Sequence, residues 1–232
     1  METLIHAVQF FGNHLVLFRD KTVAHLAVSF ASIGVALAIA IPLGVWLGHM
    51  HRASFFAINI SNLGRALPSL AVISIGIGFL GIGFTNTMVA LVVLAAPVVL
   101  TNAYVAVDGV DENAVQAARA MGMRPWQVLL RVELPLAVPL IFAGIRTATV
   151  YVVATATLAT FSGGGGLGDI IVNEPTYGTA GVVAGSLAIT ILAFAIDGVL
   201  ALVQQAVTPQ PLRQRGKATR AATETTWETV GA

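Results

Sequence analysis

Long apolar stretches separated by short polar segments make up most of this chain. A helix needs about 20 predominantly apolar residues to cross the hydrocarbon core of a bilayer, and five stretches are long enough. They lack the period-two alternation of barrel strands, and most of them lack the polar stripe of helices on soluble proteins. The pattern predicts an all-α integral membrane protein with five transmembrane helices, at residues 22–48, 54–80, 85–107, 134–161 and 180–207.

Two flanking segments differ from the predicted transmembrane domain, 22–207. Residues 1–21 place apolar side chains at helical spacing, but they lack the basic start and the small-residue cleavage site of a signal peptide. We expect this segment to form a short amphipathic helix at the membrane interface. Residues 208–232 are rich in Thr, Ala and basic side chains, a composition that cannot build a core and predicts a disordered tail.

Composition supports the membrane assignment, and the distribution of charge predicts the orientation of the chain in the membrane. Apolar residues make up 56% of the 232 residues and charged residues only 10%, whereas soluble domains carry about 25% charged residues. The absence of cysteine excludes disulfides and thiolate metal sites. With the N-terminus outside, the inside segments hold eight Lys and Arg residues and the outside segments hold only Arg19 and Lys21. The positive-inside rule thus predicts N-terminus out and C-terminus in, with residues 108–133 in the cytoplasm.

The polar segment 108–133, between the third and fourth spans, has the local chemistry of an elbow. Small side chains and a methionine recur at helical spacing along its first half, at Ala114, Ala117, Ala118 and Met121. Gly122 suits the left-handed residue that closes a helix, and Pro125 suits the first turn of a second helix. Pro135 is expected to mark where this helix gives way to the fourth span. These signals predict a helix, a sharp turn, a second helix and then the membrane.

The same segment resembles the signature E-A-A-x3-G-x9-I-x-L-P of the permease subunits of ABC importers. Val132 stands in place of Ile and Gln116 in place of Glu, whereas the signature residue is present at Ala117, Ala118, Gly122, Leu134 and Pro135. The resemblance implies the type I importer permease fold, with a coupling loop that inserts into a cleft of an ATPase subunit and transmits its closure. The coupling residues it implies are Gln116, Ala117, Ala118, Met121, Gly122, Leu134 and Pro135.

Further blocks of sequence are similar to the permeases that import glycine betaine, carnitine, choline and related osmoprotectants. They lie at residues 25–26, 41–44, 65–70, 144–149 and 165–168. The resemblance implies a multi-pass protein of a bacterial cytoplasmic (inner) membrane, paired with itself or with a homologous permease. It also implies ATPase subunits and an extracytoplasmic substrate-binding protein as partners. Methionine, a sulfonate or another small solute is the alternative cargo.

The chain lacks residues that would power transport or catalyse a reaction. It has no phosphate-binding G-x4-G-K-[ST] loop, because the glycine run 163–166 is followed by Leu-Gly-Asp. The resemblance therefore assigns ATP and Mg²⁺ to a partner ATPase, with no cofactor bound by this chain and no enzymatic activity of its own. A secondary transporter, the rival class, predicts inverted repeats or intramembrane relay residues, and the sequence shows neither. His49 and His51 end the first span and are expected at the interface rather than as metal ligands.

Ionisable residues inside the spans are candidates for the path or for an intramembrane charge pair. Arg146 and Asp197 lie at similar depth, roughly 12–14 Å from the inner boundary at 1.5 Å per residue. Charges at such depth are usually paired or face a polar cavity, so we expect these two to pair as a structural clamp. Arg65, just before Pro68, reaches a comparable depth. The alternative is that Arg65 and Arg146 extend singly to the inner interface.

Two further features stay open at the level of sequence. The glycine-rich run 162–168 is compatible with a flexible link between spans and with a re-entrant turn in which glycines allow close packing. The spans contain few aromatic side chains suited to a quaternary-ammonium cage, namely Trp46, Tyr104 and Tyr151. We therefore expect the binding protein, rather than this chain, to select the solute.

Overall fold

A computed structural model describes residues 2–51, 55, 59–60, 62, 64 and 66–207. The predicted tail, 208–232, lies outside the described residues, as does Arg65. Among the described residues, the α-helices with defined bounds are α1 (Glu2–Asn13), α2 (Leu15–His49), α3 (Ser69–Leu80), α4 (Phe84–Asp108), α5 (Glu112–Ala120), α6 (Pro125–Val128), α7 (Leu134–Thr155), α8 (Gly168–Val172) and α9 (Glu174–Val207). α9 contains a kink at Gly178, which has non-helical backbone angles. A π-helical segment, Leu129–Glu133, precedes α7, and a 3₁₀ helix, Ala156–Ser162, follows it.

Four helical stretches in the described part of the chain are long and apolar enough to cross a membrane. They overlap the first, third, fourth and fifth predicted spans, and comprise Leu15–His49, Phe84–Asp108, Pro125–Ser162 and Glu174–Val207. A shorter apolar helix, α3, has 12 residues and covers the second half of the predicted span 54–80. The predicted all-α membrane architecture is confirmed.

Pro68 breaks the second predicted span. Its backbone is extended, with φ −67° and ψ 120°, and α3 begins at the next residue, Ser69. Proline has no N–H to donate to the preceding turn, and its ring disfavours a helical conformation of the residue before it. Leu67, accordingly, lies in a bend. A single continuous helix over 54–80 is therefore excluded.

The N-terminal helix packs against the last long helix. Ala7 of α1 is buried, and the ring centroid of Phe10 lies 6.3 Å from that of Tyr177 in α9. α2 begins at Leu15, earlier than the predicted residue 22, so residues 15–21 belong to the same helix as the first span. The apolar positions of the predicted amphipathic face of α1 are exposed: Leu4, Ile5, Val8 and Phe11. A location of α1 at the membrane interface stays a prediction.

The close crossing of α2 and α4 forms the centre of the bundle. A Cβ atom at Gly44 would lie 2.6 Å from the Leu100 carbonyl oxygen, and one at Gly48 would lie 2.8 Å from the Tyr104 carbonyl oxygen. Small residues four positions apart let two membrane helices approach closely. α7 packs against the same two helices, and the main core contains buried residues of all three: Val28, Ile33, Ala36, Leu91, Val99, Ala148 and Val152.

The glycine-rich run follows the 3₁₀ helix and is tightly packed. A Cβ atom at Gly168 would lie 2.0 Å from the Thr157 carbonyl oxygen. At Gly166, which has a φ of 109°, it would lie 3.0 Å from Nδ1 of the buried His25. Of the two alternatives left open by the sequence, close packing agrees with these contacts and a loose link does not.

Candidate coupling segment and translocation path

α5, the first helix of the coupling segment, begins at a well-formed cap. The Asp111 side chain accepts a hydrogen bond from the Asn113 backbone N–H at 2.9 Å, which satisfies one of the free donors of the first turn. Gln116 donates to Glu112 Oε1 on the same helix at 3.0 Å. The amide at the first signature position therefore lies along the exposed surface of α5.

α5 separates the small side chains that the sequence places on one face. Ala118 is buried with Val115 and Val128 in a small core of the elbow itself. Ala117 is exposed, and Met121 is 73% exposed. The prediction of a common outer face is corrected, because Ala118 packs inside the elbow while Ala117 and Met121 are accessible to a partner.

Gly122 ends α5 in the left-handed conformation, with a φ of 82°. The Met123 N–H donates to the Ala118 carbonyl at 3.2 Å, and the Gly122 N–H donates to the Arg119 carbonyl at 2.9 Å. These two hydrogen bonds are the Schellman pattern that closes a helix C-terminus. The sharp turn predicted at Gly122 is present and sets the direction of the chain between α5 and α6.

The second half of the elbow is continuous with the fourth span. Pro125 lies in the first turn of α6, the Leu134 N–H bonds to the Leu129 carbonyl across the π-helical segment, and α7 follows directly. The sequence predicts a change of element at Pro135, but the structure accommodates Pro135 in the first turn of α7. Proline cannot donate the next helical hydrogen bond, and the wider π turn lies where that bond is lost. α6 and α7 are therefore one helical rod.

The elbow exposes large apolar side chains. Trp126 is 54% exposed and Leu130 is 53% exposed, in addition to Met121. Large apolar side chains on an exposed surface often mark contacts with another protein. Sequence reasoning did not single out Trp126 and Leu130, although an apolar pair four residues apart just after Pro125 was an available signal.

Two histidines at the end of α2 contact the two ends of the coupling segment. His49 Nδ1 lies 2.6 Å from Oε2 of Glu133, whose side chain is fully buried. His51 Nδ1 lies 3.0 Å from Oδ1 of Asp108, and Tyr104 donates to the other oxygen of this carboxylate at 3.1 Å. No group of three potential metal ligands is found among the described residues. Sequence reasoning missed these contacts; the signal was that all these residues lie near span ends on one side of the membrane.

Arg146 of α7 and Asp197 of α9 form a two-point ion pair. Arg146 Nε and Nη2 lie 2.5 Å from Asp197 Oδ1 and Oδ2, respectively. This bidentate geometry is a strong arrangement for a guanidinium and a carboxylate. Their side chains are 35% and 32% exposed, so the pair borders an open cleft instead of the core. The cleft is lined by Ala143, Arg146, Thr147, Val150, Asp197 and Gln204.

A second cleft adjoins the first at Thr147. It is lined by Gly64, Leu94, Val98, Asn102, Thr147 and Tyr151. Tyr151 is 38% exposed, whereas Tyr104 is buried and Trp46 is exposed outside both clefts. Polar side chains at membrane depth are costly in lipid, so this face of α7 requires a polar path or a cover from another protein chain.

The sequence between residues 40 and 209 matches the family of binding-protein-dependent transport system inner membrane components. This chain belongs to that family. It is accordingly a multi-pass membrane protein and a permease component of a transport system.

Several relatives of known name are similar along most of the chain. The glycine betaine/carnitine/choline transport system permease protein OpuCB of Bacillus subtilis is 40% identical, and the alignment covers 83% of this chain and 89% of the relative. The choline transport system permease protein OpuBB of the same organism is 38% identical over 90% of this chain and 97% of the relative. The carnitine transport permease protein OpuCB of Listeria monocytogenes is 34% identical, with 92% and 97% covered.

Solved structures support the fold. The MetNI methionine ABC transporter in inward-facing conformations contains a chain that superposes with a TM-score of 0.74 at 24% identity, covering 84% of this chain and 98% of that one. A chain of an amino acid ABC transporter with histidines superposes with a TM-score of 0.67 at 16% identity, covering 84% and 96%. The type I importer permease fold predicted from the sequence is confirmed.

Proposed function

We propose that this chain is the permease subunit of an ATP-driven importer of quaternary-amine osmoprotectants such as glycine betaine, carnitine and choline. The main support is its similarity, over at least 83% of its length, to three permeases that bear those solutes in their names. Methionine or a sulfonate is the alternative cargo, and competition during uptake distinguishes them.

ATP and Mg²⁺ bind to a separate ATPase subunit in this proposal, and the elbow docks into that subunit. The exposed Met121 and Trp126 supply apolar contact, and a methionine side chain adapts to an irregular pocket. Because α6 and α7 are one rod, a displacement of the elbow is carried along α7 to Arg146 and Thr147 in the two clefts.

The path follows the two clefts beside Thr147 and is completed by a second permease subunit, either this chain or a homologue. Pairing of Arg146 with Asp197 neutralises both charges. A lone carboxylate would hold a quaternary ammonium, and a lone guanidinium would hold the carboxylate of betaine or carnitine. The neutralised pair therefore gives the path a polar lining that does not bind a zwitterionic or cationic solute tightly.

The N-terminus lies outside in this proposal, the elbow and C-terminus lie in the cytoplasm, and a binding protein delivers the solute from outside. Support comes from the eight inside and two outside Lys and Arg residues. The chain has no cysteine, so single cysteines at Asn173 and Gly216 can be labelled selectively in intact and permeabilised cells. Labelling from opposite sides is expected; labelling of both from one side contradicts the orientation.

Uptake into proteoliposomes tests the proposal. The chain is co-purified with its ATPase and any second permease, reconstituted with enclosed ATP, and supplied with the binding protein and labelled choline. We expect uptake that requires both ATP and the binding protein and that excess glycine betaine, but not methionine, reduces. Competition by methionine supports the alternative cargo, and uptake that depends on an ion gradient instead of ATP contradicts an ABC importer.

A further inference from the structure

The end of α2 contacts both ends of the coupling segment, although these parts of the chain are far apart in sequence. His49 contacts Glu133, the last residue of the π-helical segment, and His51 contacts Asp108, the last residue of α4. Residues two apart in sequence thereby bridge positions that are 25 residues apart. The two contacts therefore lie at the two ends of segment 108–133, which the signature resemblance assigns to coupling.

The two contacts differ in burial. The His49 and Glu133 side chains are 17% and 0% exposed, whereas those of His51 and Asp108 are 37% and 35% exposed. Among the described residues, Glu133 Oε1 accepts no hydrogen bond and lies 4.0 Å from His51 Nε2. A buried carboxylate is costly without a partner, so His49 is the described residue that stabilises Glu133 at this position.

The backbone at the end of α2 is also unusual. His51 has a φ of 49°, the only left-handed non-glycine conformation in the described part of the chain. Such a conformation is unfavourable for a residue with a side chain, and it persists where the surroundings hold it. Here it accompanies the approach of the His51 ring to Asp108.

We propose that His49 and His51 are positioning residues that tether the elbow to α2 and carry its movement into the α2–α4 pair. Covalently, the elbow is joined only to α4 and α7. α2 packs against α4 at backbone distance through Gly44 and Gly48, so a force that reaches α2 through the two histidines is passed to α4 along this crossing. With both tethers in place, a push on the elbow moves α2, α4 and the rod as one unit. This inference rests on the coupling role in the proposed function.

The test replaces the buried tether by an apolar contact. His49→Leu alone leaves Glu133 buried without its partner and is expected to reduce the yield of assembled complex. The double variant His49→Leu/Glu133→Leu removes both polar groups, a change that preserves folding better than either single removal. We expect near-normal yield from the double variant but a fall of fivefold or more in choline transported per ATP hydrolysed. Equal transport per ATP in the double variant and the wild type would overturn the inference.

An ion pair elsewhere in the chain provides a matched control. Lys21 Nζ lies 2.6 Å from Asp169 Oδ2, the same separation as in the His49 contact, but it joins α2 to α8. The variant Lys21→Leu/Asp169→Leu should leave transport per ATP within twofold of the wild type. An equal loss in both double variants would show a general effect of removing ion pairs, and the tether would be rejected.

A distance measurement separates this inference from the proposed cargo. Because the chain has no cysteine, spin labels can be placed at Met50→Cys and at the exposed Ala120→Cys of α5. With a cysteine-free ATPase and the labelled chain diluted with unlabelled chain, they report the spacing between the end of α2 and the elbow. In the complex with its ATPase, this spacing should stay constant on ATP binding in the tethered protein and should change in His49→Leu/Glu133→Leu. The same response in both proteins refutes the tether. Failure of choline uptake in the wild type would reject the cargo and leave this result standing.

Discussion

The N–H of Met123 and the carbonyl of Ala118 form a 3.2 Å hydrogen bond that spans Gly122. The bond requires the left-handed backbone of Gly122, which costs other residues about 1–2 kcal/mol. A Cβ atom at Gly122 would meet no described atom within 4 Å, so a substitution there acts on the backbone and not through crowding. The direction of the elbow thus depends on one backbone conformation.

Replacing Gly122 with Val is expected to abolish most uptake while the chain still inserts in the membrane, because a β-branched residue disfavours the left-handed turn. Gly122→Asn should retain more activity, since Asn adopts this conformation more readily than other residues with side chains. Uptake in proteoliposomes and the amount of ATPase co-purified with the chain measure the effect.

Gly34→Val is the matched control for this prediction. Gly34 lies within α2 in ordinary helical conformation, and the space around its Cβ position is equally open. Normal uptake by Gly122→Val, or an equal loss in Gly34→Val, would show that the left-handed turn is not needed for coupling.

The Arg146–Asp197 pair predicts strong non-additivity between its two members. Asp197→Asn leaves a guanidinium without its carboxylate, and Arg146→Gln leaves a carboxylate without its guanidinium. The double variant has neither unpaired charge, so we expect it to lose less folded yield than the sum of the two single losses. The wild type and the three variants form a double-mutant cycle, and they are compared by the yield and the thermal unfolding midpoint of the purified complex.

Transport by the same three variants distinguishes a clamp from a path residue. Normal yield with lost uptake in each variant indicates that the pair lines the path and acts on the solute. Strictly additive losses of yield would mean that the contact contributes nothing to folding.

The features predicted correctly from the sequence are those that neighbouring residues determine. Membrane-length helices follow from apolar runs, and the turn at Gly122 follows from a conformational preference of one residue. Pro135 shows the limit of this reasoning, because a π turn immediately before it lets the helix continue. Ala118 shows another limit: which of two adjacent alanines is buried depends on where Val128 returns to pack.

Contacts between distant parts of the chain were predicted only where charge made them necessary. Arg146 and Asp197 can be matched by depth, since each needs a partner in the membrane. His49 and Glu133 lie near span ends, where water can satisfy them in principle, so the sequence alone gives no reason to join them. Their contact depends on the crossing of α2 with α4 and on the path of the elbow.

Gly168→Ala is expected to destabilise the protein. The added Cβ would lie 2.0 Å from the Thr157 carbonyl oxygen, an atom of the backbone that cannot turn aside. Overpacking of this kind typically costs about 1–3 kcal/mol, so the thermal midpoint and the folded yield should both fall. Gly78→Ala, within α3 and with open space at its Cβ position, should leave both unchanged. Equal midpoints for the two variants would contradict close packing of the glycine-rich run.

Tyr151 is the aromatic side chain that lines the clefts, and its ring is available to a passing quaternary ammonium. A cation–π contact at a partly exposed site is worth about 0.5–1 kcal/mol, which corresponds to about twofold to fivefold in affinity. Tyr151→Leu should therefore lower the rate of choline uptake by about twofold to fivefold. Tyr151→Phe keeps the ring face and should transport like the wild type.

Trp46→Leu controls for the loss of any exposed aromatic side chain, because Trp46 is 57% exposed and lines neither cleft. Uptake at saturating binding protein isolates the membrane step from capture of the solute. A loss in Tyr151→Phe as large as that in Tyr151→Leu would assign the effect to the hydroxyl group. Unchanged uptake in Tyr151→Leu would contradict the prediction and mean that the path makes no aromatic contact with the cation.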